Sequence, residues 1–175
     1  MKIMIKEMIS MLTNNQGSEE LKQPDVKLQR TWTNTCFEIV ICGLLLVLWV
    51  SIAFKIAMSG GKPIPIHFDM AGHPDNYGSS YWLLLLGGVN TALAIYYMVA
   101  AYRPVKMISV NVAVRNMRQV WIIVRWGYVF AIEFTLFCTS MVYSDLKMMD
   151  ILFKILLIVM IVTCLGMLVL LRKYK

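Results

Sequence analysis

Four apolar runs, residues 36–58, 81–101, 120–142 and 151–171, constrain this chain more than any other feature of its sequence. Each is close to the roughly 20 residues that an α-helix needs to cross the hydrocarbon core of a bilayer. Lipid offers no water to satisfy backbone N–H and C=O groups, so a run of this length must bond within itself as a helix. The runs fill most of a 175-residue chain that is 59% hydrophobic and only 15% charged. Soluble domains carry roughly 25% charged residues, and the apolar excess here has to face something other than water. The expected fold is an all-α integral membrane protein with four transmembrane helices. Residues 1–35 form a leading segment and 36–175 the transmembrane domain.

The basic residues orient these helices. Lys2, Lys6, Lys22, Lys27 and Arg30 precede the first run, and Arg103, Lys106, Arg115 and Arg118 lie between the second and third. Arg172, Lys173 and Lys175 follow the fourth. The other two loops offer only Lys62 and Lys147, beside Asp69, Asp75, Asp145 and Asp150. The positive-inside rule then predicts both termini and the middle loop in the cytoplasm, N-in/C-in, in a plasma membrane. Trp32, Tyr81, Trp82, Tyr102, Trp121, Tyr143 and Tyr174 fall near the predicted interfaces, where aromatic rings collect. The formal charge of +7 does not imply nucleic acid, because the charges sit at the ends of apolar runs where they meet anionic headgroups.

Residues 1–13 place Met1, Met4, Ile5, Met8, Met11 and Leu12 on one helical face and read either as an interfacial amphipathic helix or as a frayed tail. They show no cleavage site of a signal peptide. Residues 103–118 are expected to extend the third helix along the interface, although Ile108, Val110, Val112 and Val114 alternate as in a strand. Cys36, Cys42, Cys138 and Cys164 have no metal-site spacing and read as small hydrophobes within the membrane.

Residues 59–80, SGGKPIPIHFDMAGHPDNYGSS, are the one loop dense in special residues. Pro63 and Pro65 stiffen its entry into an extended path, while Gly72, Pro74-Asp75-Asn76 and Gly78 read as turn chemistry. An ordered extracytoplasmic loop is expected, folded back over the helices. The string Ile64-Pro65-Ile66-His67-Phe68, Gly72, Pro74-Asp75, Tyr77-Gly78-Ser79, running straight into a second apolar run, resembles an SdpI-like bacterial membrane family that contains a domain of unknown function. The resemblance is strongest over residues 36–100. Asp69 and Ser80 depart from it, since the family commonly has Asn and Lys there. It implies a non-enzymatic protein of immunity or signalling type. The loop residues Pro65, His67, Asp69, Gly72, Pro74, Asp75, Tyr77, Gly78 and Ser79 are then the candidates for meeting an extracellular peptide toxin or a membrane-protein partner, and the basic inner face for meeting a cytoplasmic regulator.

His67, Asp69, His73 and Asp75 also spell H-x-D-x3-H-x-D, a weak metal-ligand pattern that matches no established site. The plainer alternative has His67 packed under the loop and the two aspartates capping turns. Glu133, midway along the third run, is a functional candidate because an acid at that depth costs about 2.5–3.5 kcal/mol. Asn90 lies at matching depth, about 13–14 Å in, so a Glu133–Asn90 hydrogen bond between helices is expected, with a proton-coupled transporter as the alternative. Arg125, about 12 Å along the helix from Glu133, is expected to snorkel to the inner interface towards Glu38. Gly87, Gly88, Ala92 and Gly166 read as close helix packing. The chain has no phosphate loop, H-E-x-x-H or nucleophile elbow, so no cofactor and no enzymatic activity are expected; the remaining alternative is a metal-dependent enzyme built on the outer loop.

Overall fold

The structure, a computed structural model, describes residues 27–68, 74–108, 116–143 and 147–174. The segment 1–13 and the residues Asp69, Gly72 and His73 lie outside the described residues. Among the described residues, four helices are long and apolar enough to cross a membrane: α1 (Trp32–Ser59), α2 (Trp82–Ala100), α4 (Met117–Val142) and α5 (Lys147–Lys173). Helices α1 and α5 each start about one turn before the apolar run, because their first turns are polar but helical. Thr31 caps α1, its side chain accepting the Asn34 N–H, and Asn116 with Gln119 forms a capping box on α4.

Of residues 103–118, those at 109–115, with Val110, Val112 and Val114, lie outside the described residues; the described ones hold one turn, α3 (Pro104–Met107), and Asn116 is extended at φ −147° and ψ 161°, so α4 starts at its own cap. The helices make up most of the described residues, as expected, and the addition to the all-α expectation is a two-stranded antiparallel hairpin, β1 (Ile64–Phe68) and β2 (Pro74–Gly78).

Helix α4 is the centre of the bundle. Its apolar window is 39% buried, against 22% for α1 and for α2 and 11% for α5's window. It packs on α1, α2 and α5, whereas α5 makes no comparable contact with α1 or α2. The reason lies in its side chains: Ile123, Val124, Gly127, Tyr128, Ala131, Thr135 and Cys138 are buried on several sides of the helix. Trp126, Phe130, Phe134 and Phe137 stack along it, the last meeting Phe153 of α5 at 4.6 Å between ring centroids. Such aromatic contacts add about 0.5–1.5 kcal/mol each beyond simple area burial.

Small residues let the helices approach. A Cβ on Gly87 would stand 2.8 Å from Ile52 Cδ1 of α1, and one on Gly127 3.0 Å from Tyr97 Cδ1 of α2. Gly88 and Gly166 face open space and do not serve packing. Ala92 is likewise exposed. At the end away from the hairpin, Asn116 and Gln119 donate from their side chains to the Tyr174 and Leu171 carbonyls, at 2.7 and 3.0 Å. Those bonds satisfy carbonyls at the end of α5 that no longer have a helical partner.

Candidate functional site

Helix α1 ends where Gly60 and Gly61 adopt positive φ of 55° and 79°, a conformation that side chains with a Cβ rarely take. The chain leaves the helix there and enters β1 after Lys62 and Pro63. The two feet of the hairpin are tied together by Ser59 Oγ, which donates to the Ile56 carbonyl at 2.7 Å and lies 3.1 Å from the buried Ser80 Oγ. Pro65 pairs with Tyr77, His67 with Asn76 and Phe68 with Pro74. Ile66 and Asp75 are therefore the extra residues of two compensating irregularities, one in each strand. Bulges re-aim side chains. Here His67 Nδ1 comes within 2.5 Å of Asp75 Oδ1 in a pair exposed to the surroundings. A carboxylate oxygen accepts, so in this pair the imidazole Nδ1–H is the donor.

Three expectations for this loop are corrected. His67 is not packed under it, and its strands pair with each other instead of lying over the bundle. Pro74-Asp75-Asn76 is strand, not turn; proline is tolerated there because it opens an edge strand and need not donate. Gly78 ends β2 because Ile66 occupies its Cβ position, with Ile66 Cδ1 at 2.7 Å and Cγ2 at 3.3 Å. Gly78→Val should therefore expel Ile66 and loosen both strands. Amide exchange across residues 64–78 is expected to quicken at least about tenfold while the helices stay protected. Ser79 Oγ accepts the Tyr81 N–H at 3.3 Å. Ile66, Tyr77, Tyr81 and Trp82 are all exposed, giving the hairpin and its base an aromatic surface.

Within the span, Glu133 and Asn90 do not meet. Glu133 Oε1 accepts the Thr163 hydroxyl of α5 at 2.7 Å, whereas Asn90 Nδ2 donates to Thr135 Oγ1 at 3.2 Å and Thr135 donates to the Ala131 carbonyl at 2.7 Å. Matched depth was not enough. Residues two apart on a helix point about 200° away from each other, so Glu133 faces α5 while Thr135 faces α2. The second oxygen of Glu133 is buried without a hydrogen-bond partner among the described residues. Glu133→Gln keeps an acceptor for Thr163 and is expected to change stability by less than about 1 kcal/mol, whereas Glu133→Ala removes it and should lower stability by about 1–2 kcal/mol; unfolding in mixed micelles checks both.

At the opposite end, Glu38 is the residue that sequence reasoning undervalued. Its Oε1 accepts the Tyr102 hydroxyl at 2.5 Å and the Tyr128 hydroxyl at 3.1 Å, and its Oε2 pairs with Arg30 at 3.0 Å. Arg30, not Arg125, is its cation. Phe37 stacks on Tyr128, and Leu28 N–H donates to the Tyr102 carbonyl, so α1, its leading residues, α2's exit and α4 meet at one carboxylate. An acid inside an apolar run was the signal that could have found it. Burial first, and the bond to Glu38 second, hold the Tyr102 phenol above its ordinary range.

Among the described residues no three metal-ligating side chains gather, and the four cysteines are free thiols, Cys138 buried in the core and Cys36 and Cys42 on the exposed side of α1. No protein-family model, curated protein or solved structure matches the chain.

Proposed function

We propose that this chain is a non-enzymatic, multi-pass protein of a bacterial plasma membrane, with both termini in the cytoplasm, and that its hairpin recognises an extracellular peptide or a membrane-protein partner. The observation that carries this reading is the hairpin: two short strands, tied at the base by Ser59 and Ser80, that hold Ile66, His67, Asp75 and Tyr77 exposed beyond the apolar helices. Ordered, exposed side chains on a tied scaffold suit recognition better than a floppy connector, since less ordering is needed on binding. Arg30, Arg103, Arg118, Arg172 and Lys173 collect at the other end of the helices, which under the positive-inside rule is the cytoplasmic one. The SdpI-like resemblance falls on the same strands through Pro65, His67, Pro74, Asp75, Tyr77 and Gly78, and toxin immunity with a cytoplasmic regulator is the most concrete form of the reading. Expression in toxin-sensitive bacteria should protect them, and scrambling residues 64–79 should abolish protection without lowering the amount of protein in the membrane. Unchanged sensitivity to every toxin tried would count against it.

One observation favours a second reading, a proton-coupled transporter: an oxygen of Glu133, in the middle of α4, is buried with no hydrogen-bond partner among the described residues. Flux in proteoliposomes that is unaffected by Glu133→Gln would remove that reading.

A further inference from the structure

A cleft of about 240 Å³ opens between the start of α1 and the first half of α4, at the end of the molecule opposite the hairpin. Thr31, Thr33, Asn34 and Phe37 line it from one side, Trp121 and Arg125 from the other. Trp121 and Arg125 are four residues apart on α4, which puts the indole and the guanidinium on one helix face.

Its polar groups point to one kind of ligand. The first turn of a helix leaves N–H groups without helical partners, and Thr31 Oγ1 takes only that of Asn34. The N–H groups of Trp32 and Thr33 remain directed out of the helix end, where the helix dipole is positive. Arg125 adds a full positive charge on a planar fork of donors suited to phosphate. The independent observation is Asn34. It lines the cleft, is only 3% exposed, and its Nδ2 is buried with no hydrogen-bond partner among the described residues. A buried amide nitrogen without an acceptor is unfavourable unless something absent here supplies one. Among the described residues no carboxylate lines the cleft; Glu38, beside Phe37, is occupied by Arg30, Tyr102 and Tyr128.

We propose that this cleft binds a phosphate-bearing anion, supplied by the headgroup of an anionic phospholipid. The helix N-terminus, Arg125 and Asn34 would contact the phosphate, and the Phe37 and Trp121 rings would give the lipid's glycerol and upper chains an apolar wall. A lipid source fits the location. Trp32, 80% exposed at the first position of α1, stands where aromatic rings meet headgroups. Arg125 lies about 12 Å along α4 from Met117, and an arginine at that depth reaches outwards to the headgroup level. The site is independent of the hairpin's role.

The full chain is reconstituted in nanodiscs of phosphatidylcholine with and without phosphatidylglycerol, and retained lipid is counted by native mass spectrometry. Phosphatidylglycerol should be retained in preference to phosphatidylcholine, and Arg125→Gln and Asn34→Leu should each reduce its retention about tenfold. Arg172→Gln, which removes the same charge from the same end outside the cleft, should leave retention unchanged. If Arg125→Gln does not fold, Arg125→Lys serves instead: it keeps the charge, loses the two-pronged contact, and should retain less than the native protein. Equal retention by the native chain and by the Arg125 and Asn34 variants would overturn the site. Stabilisation by inorganic phosphate that requires Arg125, with no preference for phosphatidylglycerol, would overturn the lipid assignment.

Discussion

Replacing Glu38 with alanine is expected to lower the unfolding free energy by about 3 kcal/mol. The carboxylate accepts from Tyr102, Tyr128 and Arg30, and its loss leaves two hydroxyls at a helix junction without their acceptor. Hydrogen bonds to a charged group contribute about 1.5–3 kcal/mol each, but Arg30 is 66% exposed and its pair is screened, so the three do not sum. Glu38→Gln retains a carbonyl oxygen for the tyrosines and should lose about half as much. The node also carries a pH signature. Tyr102 has a pKa raised in the folded protein, so folding binds its proton more tightly. The stability it contributes is complete below about pH 10, the ordinary value for tyrosine, and is lost as pH rises through the raised one. Unfolding in detergent micelles at rising pH should show the native protein weakening in that alkaline range and Tyr102→Phe weakening less.

Gly87→Leu should cost about 2–3 kcal/mol and Gly88→Leu almost nothing, although the two glycines are adjacent. At Gly87 even a Cβ would stand 2.8 Å from Ile52 Cδ1 and 3.2 Å from the Trp49 ring. Ile52 Cδ1 is the end of a flexible side chain and can turn aside. Trp49 is held by its indole N–H, which donates to Thr91 Oγ1 at 3.0 Å, so a leucine must break that bond or push α1 from α2. Gly88 has nothing within 4 Å of its Cβ position, and a leucine there gains helix propensity instead. Equal losses at both positions would mean that glycine's backbone, and not helix approach, sets the effect.

The spans were legible because lipid allows so few alternatives: a run of apolar residues that long has to be a helix. What lay beyond local pattern was pairing. The Pro63 and Pro65 entry reads correctly as extended, but strand pairing of Pro74-Asp75-Asn76 with a segment that begins ten residues earlier cannot be seen in turn-forming residues alone. The bulges that join His67 to Asp75 are a property of register. Glu133 was paired with the wrong helix, because depth follows from counting residues while the direction of a side chain depends on which neighbour lies on which side. Glu38 and its partners are separated by up to 90 residues, and Arg30 competed with the more conspicuous Arg125. Gly127, whose Cβ position lies 3.0 Å from Tyr97, looks no different in sequence from Gly166, whose Cβ position has nothing within 4 Å among the described residues.

Recognition of an extracellular partner requires the hairpin to lie outside the membrane. With the four native cysteines replaced by serine or alanine, Tyr77→Cys and Lys173→Cys are labelled in intact cells by a thiol reagent that cannot cross the membrane. Labelling at position 77 in intact cells, and at position 173 only after the membrane is broken, is the predicted result. Labelling at 173 but not 77 in intact cells would invert the protein, place the hairpin in the cytoplasm and contradict its role as an extracellular recognition element.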